Sequence, residues 1–337
     1  MTSRSATQAS VLPGLVLRAY AGESDIPAIV DIQNAENEAD GIPERTSVGE
    51  RAAEYRHASP AFDARRDITL AELDGRPVAF ANRDWVDTHQ APLREYRVGG
   101  AVHPEHRRRG IGRALLAESE RRSGELSRTH DTDRRKVLGA FTGDQQSDAR
   151  ALLAGAGYRE VRWFFDMIRP TLDHVPDATL PDGLEVRPIT PELHRRVWDA
   201  DIEAFRDHWG GHDDSEAALQ RYLESPDCDP SLWLIAFDGE EIAGGVINAV
   251  YREENAALDV RRGWLDSVFT RRPWRRRGLA RALIARSLLL LRERGMAEAM
   301  LGVDAENPTG ALGLYESVGF EVKARYSAWQ KALEAGS

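Results

Sequence analysis

"RRRGIGRALL", Arg107 to Leu116, returns almost letter for letter as "RRRGLARALI", Arg275 to Ile284. Each stretch sets three arginines before a glycine, a small residue two places on, and then apolar residues at helical spacing, such as Leu279, Leu283, Leu288 and Leu291 in the second. The first turn of a helix carries backbone N–H groups without intrahelical partners and the positive end of the dipole. Successive N–H groups of that kind bind a phosphate well. A glycine at the opening accepts positive φ and lets the backbone come close, Gly112 or Ala280 leaves room beside a ligand, and the arginines add charge at the rim. The same letters also describe a solvated basic loop ahead of a surface helix. The order of elements around them decides.

That order is itself repeated. "LPGLVLRAY" (Leu12–Tyr20) corresponds to "LPDGLEVRPIT" (Leu180–Thr190), each a turn leading into an alternating strand. "ITLAELDGRPVAFAN" (Ile68–Asn82) matches "LWLIAFDGEEIAGGVIN" (Leu232–Asn248), two strand-like runs joined by Asp-Gly, a strong hairpin signal. After each arginine–glycine stretch come a long helix, a short strand ("KVLGAF", "AMLGVD"), a helix ending in Gly-Tyr or Gly-Phe, and an aromatic strand. Gly14 and Gly183 lie 169 residues apart, Gly110 and Gly278 168, Gly157 and Gly319 162. Nearly constant spacing with loop-sized slippage signals two copies of one domain. We therefore expect a tail over residues 1–11, a first domain over 12–169, a linker over 170–183 rich in Pro and Asp, and a second domain over 184–333. Early hairpins followed by a strand–helix–strand unit predict an α/β (α+β) fold, a mixed, mainly antiparallel sheet flanked by helices in each half.

Composition narrows the partners. Of 337 residues, 42% are hydrophobic and 30% charged, the profile of a globular protein, and the formal net charge is −10. An acidic total argues against a general nucleic-acid binder, which must neutralise phosphates. A single cysteine, Cys228, excludes an intrachain disulfide and a cysteine zinc cluster and suits a reducing compartment. Nothing in "SPDCDP" lowers its pKa, so it reads as a bystander. The polar start has no apolar signal-peptide core, and "SLLLLRERG" is too short to span a bilayer. A cytoplasmic protein without membrane or nucleic-acid partners is the expectation.

Arg-x-x-Gly-x-Gly/Ala after a strand and opening a helix resembles the acetyl-CoA pyrophosphate motif of the GNAT N-acetyltransferases. "NPTGALGLYESVGF", Asn307 to Phe320, resembles that family's second signature. The resemblance spans nearly the whole chain as two GNAT domains in tandem, an arrangement similar to the mycothiol synthase type. It implies acetyl-CoA as acyl donor, with no metal, and a primary amine as acceptor. Carried over by position, Arg275, Arg276, Arg277, Gly278, Leu279, Ala280 and Arg281 would hold the pyrophosphate, with Asn307 beside the coenzyme. Val268, Phe269 and Thr270 would pair their backbone with the pantetheine arm as an added strand does. In the first copy the matching positions are Arg107, Arg108, Arg109, Gly110, Ile111, Gly112 and Arg113, and Gly100, Ala101 and Val102. The family pattern also implies a bulge in this strand that opens the acyl slot.

Acetyl transfer from a thioester to an amine needs a proton taken from the amine and one given to the departing thiolate. The resemblance implies Tyr315 as donor, with Asn307 as N-cap and Pro308 opening its helix. By spacing alone Tyr315 reads as core, three residues from Leu312 and Val318. Asp266, which shares a strand face with Val268 and Thr270, is the candidate base. Aligning Gly157 with Gly319 sets Leu153 opposite Tyr315 and Gln145 opposite Asn307, so the first copy keeps the cradle without the acid. It is either a coenzyme-binding copy without catalysis or a half that serves packing. "AFRDHWGGHDDSE", Ala204 to Glu216, stands where the family builds its acceptor side, making Asp207, His208 and His212 candidate substrate contacts. Its glycines give no fixed metal geometry. The acceptor stays open between a small-molecule amine and a protein lysine, as does a coenzyme-sensing protein that has lost catalysis. The oligomer is expected to be a monomer or homodimer.

Overall fold

The computed structural model describes residues 12–42, 44–56, 58, 61–88, 91–177, 179–206, 209, 214–307 and 310–333. The first copy supplies strands β1 (Leu15–Ala19), β2 (Ile68–Leu73), β3 (Arg76–Asp87), β4 (Leu93–Val102), β5 (Arg135–Gly143) and β6 (Arg159–Arg169). Its helices are α1 (Ile26–Asp40), α2 (Val48–Arg56), α3 (Ala64–Asp67), α4 (Ile111–Thr129) and α5 (Ser147–Gly155). The second copy supplies β7 (Leu184–Arg187), β8 (Leu234–Asp238), β9 (Glu241–Ala249), β10 (Arg262–Thr270), β11 (Glu298–Asp304) and β12 (Glu321–Ala332). Its helices are α6 (His194–Phe205), α7 (Glu216–Leu223), α8 (Arg252–Leu258), α9 (Leu279–Glu293) and α10 (Ala311–Ser317).

Local chemistry explains the turns. At the first hairpin Leu73 pairs with Arg76, and the two residues between, Asp74 and Gly75, have φ of 51° and 77°. Positive φ at both centres matches the right-handed twist of the flanking strands. In the second hairpin Asp238 itself pairs with Glu241, so the turn shifts by one residue onto Gly239, φ 56°, and Glu240.

The strands form one sheet rather than two, in the order β1-β2-β3-β4-β5-β12-β6-β11-β10-β9-β8-β7. The pairings β4–β5 and β10–β11 are parallel and the others antiparallel. Each copy's last strand lies against the other copy. β12 pairs with β5, β6 pairs with β11, and β6 and β12 pair with each other at the centre. Side chains lock the exchange. The Trp329 indole of β12 donates to Thr142 Oγ1 at 2.9 Å and packs with Tyr96, Val98, Leu138 and Tyr158 of the first copy. Arg162 of β6 makes a two-pronged bond to Asp304 of β11, both prongs 2.9 Å. Among the described residues no helix is long and apolar enough to cross a membrane.

Candidate active site

The second arginine–glycine stretch runs from β10 into α9. Gly278 is the N-cap of α9 with φ 84°, and Arg276 before it has φ 62°. The loop thus turns back on itself through left-handed residues and presents its N–H groups at the helix opening. β10 pairs with β11 only over Arg262–Trp264 and then leaves it. On its other side Leu265 faces Asn248 while Ser267 faces Ile247, so Asp266 is one extra residue, a β-bulge. Ser267 anchors the bulge to α6 by donating to Asp201 Oδ1 at 2.5 Å. The gap between β10 and β11 opens into a cavity of about 1160 Å³. Asp266, Val268, Phe269, Thr270, Arg275, Arg276, Gly278, Leu279, Ala280, Arg281, Asn307 and Tyr315 all line it.

Asp266 is set deep between packed elements but its side chain stays exposed to this cavity, and one carboxyl oxygen accepts from the Tyr251 hydroxyl at 2.8 Å. Loss of solvent pushes its pKa up to about 6; the Tyr251 bond opposes the shift, and Glu254 and Asp227 add to it. Tyr315, 6% exposed, keeps its proton firmly, since burial moves its pKa to about 12. Its helix does not begin where the sequence suggests. α10 starts at Ala311 with Gly310, φ 76°, as N-cap, and Gly310 N–H donates to Asn307 O at 3.2 Å. The start expected at Asn307 and Pro308 runs into residues 308 and 309, which lie outside the described residues.

The far wall of the cavity belongs to the first copy and to the exchanged strand. Glu44, Phe141, Phe164, Phe165 and Asp166 come from the first half and Tyr326 from β12. The Tyr326 hydroxyl donates to Glu44 Oε1 at 3.2 Å, and Glu44 Oε2 is buried with no hydrogen-bond partner among the described residues. Burial pushes Asp166 up to about 6, against the Tyr326 bond, with Glu44 adding to the rise. Phe141 stacks on Tyr326 at 5.6 Å. Sequence reasoning missed these residues because strand exchange, which no local pattern encodes, brings them in. The aromatic run "RWFFDMIR" was the only trace.

Comparison with known proteins agrees with this geometry. Residues 194–320 match the acetyltransferase (GNAT) family and residues 64–160 an acetyltransferase (GNAT) domain. A mycothiol acetyltransferase of Salinispora tropica is 33% identical over 271 residues, 77% of this chain and 79% of that protein. One from Thermobispora bispora is 30% identical and aligns over 88% of this chain and 92% of its own. The chain belongs to the GNAT acetyltransferase family. It is an N-acetyltransferase with two GNAT domains in tandem, an enzyme of acyl transfer to an amine. A GCN5-related N-acetyltransferase of Sphaerobacter thermophilus, 29% identical, superposes with a TM-score of 0.70 over 97% of this chain and 98% of its own.

The first GNAT copy has the same cradle with different contents. Gly110, the N-cap of α4, has φ 85°, and Arg108 has φ 61°, within a degree of their counterparts. β4 leaves β5 after Arg97, yet its register against β3 runs one-to-one from Arg94 to Val102 without a bulge. Gly100, φ 151°, is required there, since a Cβ would lie 2.2 Å from the Phe80 carbonyl oxygen. Gly100, Ala101, Val102, Arg107, Arg108, Gly110, Ile111, Gly112, Arg113 and Leu153 line a smaller cavity of about 520 Å³. Leu153, 6% exposed, occupies the place of Tyr315. Burial pushes Glu36, another lining residue, up to about 7 despite Val102 N–H and Arg107.

Other sequence candidates fall elsewhere. Arg109 and Arg277 line neither cavity. Asp207, His208 and His212, like Pro308, lie outside the described residues. Trp209 does line the larger cavity, with its ring 5.8 Å from Phe164. His103, Glu105 and His106 hold potential metal-ligand atoms within 4.8 Å of one another, but Arg109 stands 3.2 Å from His106 Nδ1 and brings a cation to the group. Burial raises the Cys228 thiol to about 11, which keeps it protonated.

Proposed function

We propose that this chain transfers the acetyl group of acetyl-CoA to the primary amine of a small molecule, and that the second GNAT copy does the chemistry. One observation carries the assignment of copy: the bulged Asp266, the cradle at Gly278 and Tyr315 all face one cavity, whereas the first copy has an unbulged strand and Leu153. The curated relatives support a small-molecule acceptor, being mycothiol acetyltransferases. The carboxylates of Glu44, Asp166 and Asp266 on the walls favour a cationic one.

In this reading the Gly278–Arg281 opening of α9 holds the pyrophosphate, and the free edge of β10 holds the pantetheine arm. Asp266, ionised above about pH 6, takes the proton that the ammonium must lose. The amine nitrogen then bonds to the thioester carbon, and main-chain N–H groups at the bulge steady the oxyanion. As the C–S bond breaks, the sulfur leaves with its electron pair and receives the Tyr315 proton, while the nitrogen, cationic once bonded to carbon, gives up its second proton and so restores the Tyr315 hydroxyl. The products are an N-acetyl amide and a free thiol, and no acyl group is attached to the protein. Tyr315→Phe is expected to lower kcat about 100-fold or more while leaving the acetyl-CoA Kd unchanged. Thiol release over a panel of small amines measures the first quantity and equilibrium dialysis the second; normal turnover in the variant would remove Tyr315 from the mechanism.

A further inference from the structure

The first cleft differs from the second at the one backbone group a coenzyme most needs. Beyond Arg97, β4 has no strand on the side of β5, so alternate residues turn their N–H and C=O into the gap. His103 N–H bonds back to Val78 O at 2.9 Å, on the β3 side, which leaves Val102 facing the gap. Val102 N–H is nevertheless satisfied, because Glu36 of α1 accepts from it through Oε1 at 3.2 Å. The Val102 carbonyl accepts from Arg107 Nε at 3.4 Å. Arg107 is held in turn by Asp40, at 2.6 and 2.8 Å, and lies 3.4 Å from Glu36.

The second copy repeats this frame with one change. Arg275 Nε donates to the Thr270 carbonyl at 3.0 Å, and Arg271 N–H bonds back to Ala243 O at 3.0 Å. Arg275 also reaches α6, through Ala204 O at 3.1 Å. Ala204 follows Glu36 by 168 residues, the spacing that relates Gly278 to Gly110. A methyl group therefore stands where the first copy has a carboxyl, and it offers no acceptor to the strand edge.

We infer that Glu36 is an internal plug, its carboxyl occupying on β4 the position of a pantetheine amide oxygen, so that the first cradle of the wild-type chain is closed to acetyl-CoA. This inference rests on the acetyl-CoA reading above but not on which copy catalyses. It gives the duplicated cradle a distinct state, in which backbone geometry is retained and one side chain decides access.

Equilibrium dialysis of the full chain against radiolabelled acetyl-CoA counts sites directly. The wild type should bind one coenzyme per chain and Glu36→Ala two. Glu36→Gln, whose amide oxygen can still accept from Val102 N–H, should stay near one. Losing a buried charged acceptor corresponds to a tightening of the first site on the order of 10- to 100-fold. Adding Gly112→Asp to Glu36→Ala should return the count to one, because a carboxylate then lies inside the cradle itself. Two coenzymes on the wild type would overturn the plug whatever the variants do, as would a count of one on a Glu36→Ala chain that melts like the wild type. A wild type that binds none would sink the acetyl-CoA reading, and the plug with it.

Discussion

Asp266 shows how one residue's chemistry depends on a backbone irregularity. In an unbroken strand it would alternate with Leu265 and Ser267; as the extra residue of a bulge it turns its carboxyl into the cavity. Burial raises its pKa from 3.8 to about 6, so its ionised fraction falls as pH drops through 6. In the proposed mechanism the ionised form takes the proton, so kcat should show an acid limb with a midpoint near pH 6, and Asp266→Asn should be slow and lack that limb. A pH–rate profile that keeps the limb in the variant would assign the base elsewhere. The type and position of Asp266 were legible in the strand pattern, whereas its bulge was not. A bulge is a register relation between two strands, and one strand's sequence does not state it.

At the scale of the element, β12 is the clearest case. Its residues read as an aromatic last strand of the second copy, yet Trp329 is 6% exposed within the core of the first. Trp329→Ala is expected to cost about 3–5 kcal/mol, from lost burial, a cavity and the abandoned bond to Thr142. Urea unfolding followed by far-UV circular dichroism would measure it, and a loss under about 1 kcal/mol would mean that the exchanged strand is weakly held. α10 gives the opposite lesson. Asn307-Pro308 is a fair helix start, but Gly310 in a left-handed conformation delays the helix to Ala311.

At the scale of the molecule, the two halves complete each other. β12 lies between β5 and β6, and β6 between β12 and β11, so neither copy has a full sheet without the other. Buried ties cross the junction, with Arg162 on Asp304 and Arg169 donating to the Val318 carbonyl. We therefore expect a single cooperative unfolding transition for the whole chain. Ending the chain at Phe320, which removes β12 and the residues after it, should also unfold the first copy, although none of that copy's residues has changed. Retention of a protease-resistant, cooperatively melting first half in the truncated chain would show that the copies fold independently. The same exchange carries Glu44, Asp166 and Tyr326 to the second copy's cavity, so the first copy forms part of that cavity's wall.

By itself the sequence determined the duplication, both cradles and the asymmetry of Tyr315 against Leu153. These rest on spacing along the chain and on what glycine, arginine and tyrosine can do locally. Tertiary structure alone decided which strand lies beside which, that the second cavity is walled by the first copy, and that the Glu36 carboxyl reaches Val102 where the Ala204 methyl has no acceptor to offer. Strand edges are chemically alike, and an alternating pattern is satisfied by many partners. Only the packed sheet, with its helices laid across it, selects one.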